Sequence, residues 1–84
     1  MNSKNENVSL VKALGRAIQE RRLKLNLSQK ELAEEAGVDR AYISNIEQAK
    51  RNPSLTAMRN LAHGLRTRLS KLIGSAERIE NEAD

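Results

Sequence analysis

The chain has 84 residues, no cysteine, one histidine and a net charge of +4. That length supports one domain around one small core, and the lack of cysteine excludes disulfides and thiolate metal sites. A lone His63 offers no metal-ligand spacing, and no nucleophile–base pair or glycine-rich phosphate loop is visible, so no cofactor, metal or enzymatic activity is expected.

The opening "MNSKNENVS" is polar and lacks the apolar run of a signal peptide. No segment is apolar enough to span a membrane, and a cytoplasmic protein with no membrane partner is expected. Residues 1–8 read as a disordered segment. From there on the apolar spacing is helical, with no two-residue alternation long enough for a strand. A first helix is predicted over Ser9–Leu25, with Val11, Leu14, Ile18, Arg22 and Leu25 on one stripe.

After "NLS", Ser28 and Glu31 form an S-x-x-E capping box that opens a second helix, "QKELAEEA". Leu32, Ala33 and Ala36 face inward, and Gly37 stops the helix by tolerating a left-handed backbone. Asp39 is placed to cap a third helix from Arg40 to about Gln48. The basic connection "AKRNPS" leads to a fourth, opened at Asn52-Pro53 or Ser54, with Leu55, Met58, Leu61, Ala62 and Leu65 as its stripe. Leu69, Leu72, Ile73 and Ala76 mark a fifth, which either frays or continues through Ile79. The expected architecture is all-α: a helical domain over 9–76 with an acidic tail over 77–84.

Charge is unevenly spread. Residues 1–76 hold fourteen Lys and Arg against seven Asp and Glu, a balance of +7, whereas "ERIENEAD" holds four acids against Arg78, a balance of −3. A basic body suits a polyanion, because neutralising phosphates releases counterions. Tyr42 is the one aromatic residue, which argues against single-strand or RNA readers that stack bases on several rings.

The link "GVD" between the second and third helices has the length and glycine of a helix-turn-helix. Ala33 is small where the helices cross, and Ile43 and Ile46 anchor the third helix in the core. Arg40, Ala41, Ser44, Asn45 and Gln48 then share its outward face, nearly free of the Glu and Lys that an ordinary solvated face carries. Arg22 lies on an apolar stripe, and Glu47 lies one turn beyond Ile43 on an inward face. Two inward charges of opposite sign are expected to form a salt bridge, since either alone would be very costly to bury.

The stretch "LGRAIQERRLKLNLSQKELAEEAGVDRAYISNIEQAKRNPSLTAMRNLAHGL" resembles the DNA-binding domain of phage Cro/repressor (Xre-type) helix-turn-helix regulators, over about residues 10–75. The combination "R-x-x-x-x-L-S-Q-x-E-L-A", "G-V" and "Y-I-S-x-I-E" carries the likeness. "DRAYISNIE" resembles in particular the controller proteins of restriction–modification systems. The resemblance implies a compact five-helix, lambda-repressor-like fold whose third helix enters the major groove of double-stranded DNA. It implies base contacts from Arg40, Ala41, Ser44 and Asn45, and phosphate contacts from Gln29, Tyr42, Gln48, Lys50, Arg51 and Asn52. It also pairs Arg22 with Glu47.

Family members commonly close the fourth helix with Gly and Val where this chain has Arg66 and Thr67. Either Arg66 adopts a left-handed turn or the helix end is rebuilt. The expected assembly is a homodimer through Leu69, Leu72 and Ile73, acting as a transcription regulator on a pseudo-palindrome. The rival expectation is an antitoxin or adaptor module that acts through a protein partner, with "ERIENEAD" as its docking segment.

Overall fold

The computed structural model describes residues 3–82 and builds them into five helices: α1 (Ser3–Lys24), α2 (Gln29–Ala36), α3 (Arg40–Glu47), α4 (Leu55–Gly64) and α5 (Leu69–Glu82). No strand occurs among the described residues. The turns follow local chemistry. Ser28 Oγ accepts from the Glu31 backbone N–H at 3.0 Å while the Glu31 carboxylate accepts from the Ser28 N–H at 2.8 Å. That pair of bonds holds the Glu31 carboxyl below the usual glutamate range, the Ser28 backbone hydrogen bond contributing most. Gly37 ends α2 with φ +71°, and Ser54 caps α4 by accepting from Ala57. Asp39 occupies the N-cap position of α3, but its side chain makes no capping bond.

Ile18, Leu32, Ile43, Ile46, Leu61 and Leu65 are the largest fully buried side chains, drawn from α1 to α4 and the residue that ends α4. Each such burial stabilises by about 1.5–3 kcal/mol relative to exposure. Leu72 and Ala76 bring α5 into the same cluster. Helix α1 is the hub: it packs on α3 along one side and on α5 along another, while α2 packs on α3 and α4.

The first helix begins earlier than expected, and the last runs three residues beyond Ile79. The segment expected to be disordered is helical from Ser3, and the expected acidic tail is helical through Glu82; residues 1–2 and 83–84 lie outside the described residues. Residues 3–9 contain neither Pro nor Gly, so extending a helix already nucleated by packing costs little. At the other end, half-buried Ile79 packs against the core and draws the last turns of α5 with it.

Two apolar assignments also change. Leu72 is 2% exposed, so it closes the protomer's own core instead of offering a dimer contact. Leu55, expected inward, is 68% exposed, because it stands in the first turn of α4 before that helix reaches the core.

At the end of α4, Arg66 takes the left-handed conformation, φ +56°. The Thr67 N–H then reaches the Ala62 carbonyl at 3.0 Å. Arg21 secures this turn from α1, donating Nε–H to the Leu65 carbonyl at 2.9 Å and Nη2–H to that of Arg66 at 3.1 Å. A left-handed non-glycine residue costs roughly 1–2 kcal/mol, and these bonds offset part of that cost.

Gly15 sets the distance between α1 and α3. A Cβ there would lie 2.5 Å from the Ile46 carbonyl oxygen and 3.0 Å from that of Glu47, both backbone atoms. Gly15→Ala is expected to destabilise the fold by about 1–3 kcal/mol through this overpacking. Gly74→Ala, with nothing within 4 Å of its Cβ, is expected to stabilise by up to about 1 kcal/mol through helix propensity. Urea unfolding of both variants checks the pair; equal midpoints would refute the close approach.

Candidate nucleic-acid interface

The site begins with the charge pair. The Arg22 fork meets both oxygens of Glu47, Nε–H to Oε2 at 2.7 Å and Nη2–H to Oε1 at 3.0 Å. Their side chains are 9% and 2% exposed. Arg22 also donates Nη1–H to the Leu27 carbonyl at 2.9 Å, tying the α1–α2 turn to the same point. The hydrogen bond to Glu47 raises the Arg22 pKa, against an opposing desolvation effect, so the arginine stays charged at any pH the fold survives.

Glu47 Oε1 accepts a third bond, from Gln29 Nε2 at 3.1 Å, across from the start of α2. A carboxylate here only accepts, so it turns the Gln29 amide nitrogen inward and the amide oxygen outward. That oxygen accepts from Arg40 Nη1 at 3.1 Å. The buried pair is thus linked through Gln29 to the first residue of α3. Gln29, which the resemblance assigned to a phosphate, has both ends of its amide engaged within the protein.

Along the outer face of α3, Arg40, Ala41 and Gln48 are exposed, and Ser44 and Asn45 are half-exposed. Gln48 donates Nε2–H to Ser44 Oγ at 2.8 Å. Tyr42 is half-buried against the core, with the Arg51 guanidinium 5.1 Å from its ring centroid, a cation–π contact that holds one cation of the following loop. Lys50, Arg51 and Asn52 are exposed beside the C-terminal end of α3. The sequence-predicted base-reading residues therefore share one face, flanked at one end by Gln29 and at the other by the basic loop.

The helix-turn-helix family profile matches residues 18–72, spanning α2 and α3 and the helices that hold them. The chain belongs to the Xre-type helix-turn-helix family. These are DNA-binding transcription regulators, not enzymes. The immunity repressor of Bacillus phage phi105 is 33% identical over 69 residues, 82% of this chain and 48% of the repressor, so the chain spans about half the length of that relative. The control protein C.SmaI of Serratia marcescens is 40% identical over 57 residues, covering 68% of this chain and 67% of that protein. Among solved structures, the restriction–modification controller protein C.AhdI of Aeromonas hydrophila superposes with a TM-score of 0.72 at 34% identity, covering 74% of this chain and 94% of that one.

Sequence reasoning missed one element beside this interface. Leu10, Val11, Leu14, Met58, Ile73 and Ala76 line an open apolar groove of about 400 Å³ between α1, α4 and α5, and Asn52 forms its rim. Leu10 falls just outside the stripe assigned to α1, which is why periodicity overlooked it.

Removing one partner of the charge pair exposes its worth. Glu47→Ala should destabilise by about 3–5 kcal/mol, because Arg22 is left buried without a counter-charge. The joint replacement Arg22→Met with Glu47→Leu should lose far less than the single variant. A thermal-unfolding comparison decides the matter; a single variant no worse than the double would mean the pair carries little.

Proposed function

We propose that the chain regulates transcription in the cytoplasm as a homodimer, binding a pseudo-palindromic operator with α3 of each protomer in successive major grooves. The observation that carries this reading is the outward row of α3, whose side chains are small or hydrogen-bonding and are presented next to the basic loop. Arg40 is suited to guanine O6 and N7, and Ala41 to a thymine methyl, with Ser44 and Asn45 as further base-edge groups. Lys50, Arg51 and Asn52 contact the phosphates flanking the groove, with Gln48 beside them, and set the register. Tyr42 acts through Arg51, whose guanidinium it supports. Gln29 acts through Arg40, which its amide oxygen orients.

The dimer seam is assigned to the apolar groove containing Ile73, with half-buried Leu69 one turn earlier on α5 and exposed Leu55 one turn before Met58. Apolar surface of this kind is stable in water when a partner covers it. Because Asn52 borders the groove, pairing there sets the two phosphate-gripping loops side by side. The two recognition helices then address half-sites about 34 Å apart, one turn of the duplex. Restriction–modification control proteins and a phage immunity repressor are the named relatives, and control of a small set of genes is the role their names suggest here.

Selection from a random duplex library at about 150 mM salt should enrich an inverted repeat with centres one turn apart. Binding that enriches nothing and disappears steeply with salt would reject base reading and favour a protein-adaptor role. On the selected site, Arg40→Ala should cost roughly 1–3 kcal/mol and relax preference at one base pair. Lys50→Ala should weaken all sequences alike and flatten the salt dependence.

Leu55→Glu, at an exposed position, should leave the fold intact and shift sedimentation from dimer toward monomer. A variant that stays dimeric would move the seam elsewhere.

A further inference from the structure

Most of the basic charge lies away from α3. Gly15 and Arg22 look from α1 toward α3, whereas Ala17, Arg21 and Lys24 line a depression between α1 and α5, about 390 Å³, together with Arg78 and Ile79. Arg21 also borders a second depression of about 680 Å³ at the α4–α5 turn, where Arg66, Arg68 and Lys71 gather with His63. The shared arginine joins the two into one groove. No residue of α3 or of the 50–52 loop lines it.

Seven cations, Arg16, Arg21, Lys24, Arg66, Arg68, Lys71 and Arg78, line the two depressions with three acids, Glu20, Glu35 and Glu82. Arg16 and Glu20 face each other at 3.6 Å in an exposed pair, which leaves six cations against two acids. We infer that this groove is a second nucleic-acid surface, which takes the phosphate backbone of a duplex while α3 remains free to read bases.

Three features select phosphate. Four of the six cations are arginines, whose planar forks match phosphate oxygens in pairs; Arg21 is held in place by the Leu65 and Arg66 carbonyls, which take its Nε–H and one Nη2–H and leave its Nη1 side for an anion. The groove has no apolar centre: its apolar lining is Ala17, which is buried, and Ile79, which packs into the core. Protein interfaces take their affinity from buried aromatic and apolar anchors, whereas interfaces with nucleic acid are polar and strongly basic. The chain's one aromatic ring, Tyr42, is elsewhere, so bases have nothing to stack on and the contact is confined to the backbone.

Such a surface gives the protein a second grip on nucleic acid, able to hold another duplex segment near the operator or to raise the local concentration of DNA during search. Binding should be sequence-independent and weak, in the range of about 10⁻⁴–10⁻⁶ M expected of non-specific association.

The test is titration of isotope-labelled full-length protein with an excess of a short random-sequence DNA duplex, followed by amide NMR. Two sets of resonances should respond: α3 with the 50–52 loop, and separately residues 66–71 with 75–79. The double variant Arg68→Glu/Lys71→Glu, both exposed, should keep the first set and weaken the second at least about tenfold, and added salt should remove the second. Shifts confined to α3 and its loop in the wild type, or a groove response unchanged in the variant, would overturn the inference. A stronger groove response to polyglutamate than to duplex would overturn it in favour of an acidic protein. A duplex RNA arm identifies the source: a groove response stronger than with DNA assigns the phosphate backbone to RNA. The variant Lys50→Gln/Arg51→Gln separates the two readings, since it should weaken the first set and spare the groove. The same titration with the selected operator tests the other face: absence of the first set there would reject base reading by α3 without touching the groove.

Discussion

The bidentate bond between Arg22 and Glu47 is the constraint on which the rest of this molecule depends. It is withdrawn from water, so either member alone would be expensive to keep charged, and together they fix α1 against α3 in one register. The same arginine takes the Leu27 carbonyl, and the same glutamate takes Gln29, so three helices and a turn converge on two side chains. Gly15 allows this geometry because its missing Cβ lets the α1 backbone meet the carbonyls at the end of α3. Through Gln29 the pair extends to Arg40, so the interaction that positions α3 also aims its first side chain.

Stability and recognition are arranged on different principles here. The core is aliphatic, without an aromatic ring, and depends on close approach of helices at small residues. The outer face of α3 is sparing with charge, which is what the proposed base reading calls for, since hydrogen-bond patterns discriminate where fixed charges only attract. The basic charge lies at the margins, in the loop after α3 and in the depressions on another side of α1. The turns carry the cost of compactness: α1, α3 and α4 are each followed by a non-glycine residue at positive φ, Asn26, Ala49 and Arg66. Arg21 supports the last of these, and Arg22, held by Glu47, ties the turn at Asn26 through the Leu27 carbonyl.

Much of the site was legible beforehand because its signals are local. The capping box at Ser28, the glycine stop at Gly37 and the spacing of Ile43 and Ile46 report through contacts within a few residues. The pairing of Arg22 with Glu47 was legible for a different reason: a charge on an apolar stripe demands a partner, and only one suitable acid faced inward. Asp39 shows the limit of that logic, since it holds the N-cap position without making the cap bond. Leu72 and Leu55 show it more strongly. Both looked like ordinary members of a stripe, yet one proved to be sealed in the core and the other 68% exposed, because a stripe gives the face of a helix and not how far the helix is covered.

By itself, then, the sequence determined the number and type of helices, the helix-turn-helix, the buried charge pair and the outward row of α3. Each of these follows from periodicity, capping or the cost of an unpaired charge, which neighbouring residues already express. Only the tertiary structure decided that Gln29 bridges the pair to Arg40, that Arg21 secures the turn at Arg66, and that basic residues of α1, the α4–α5 turn and α5 line two depressions that share Arg21. Arg21 and Arg66 lie 45 residues apart, and Gln29 and Glu47 lie 18 apart. Contacts over such separations depend on how whole helices are placed against each other, and no local pattern carries that information.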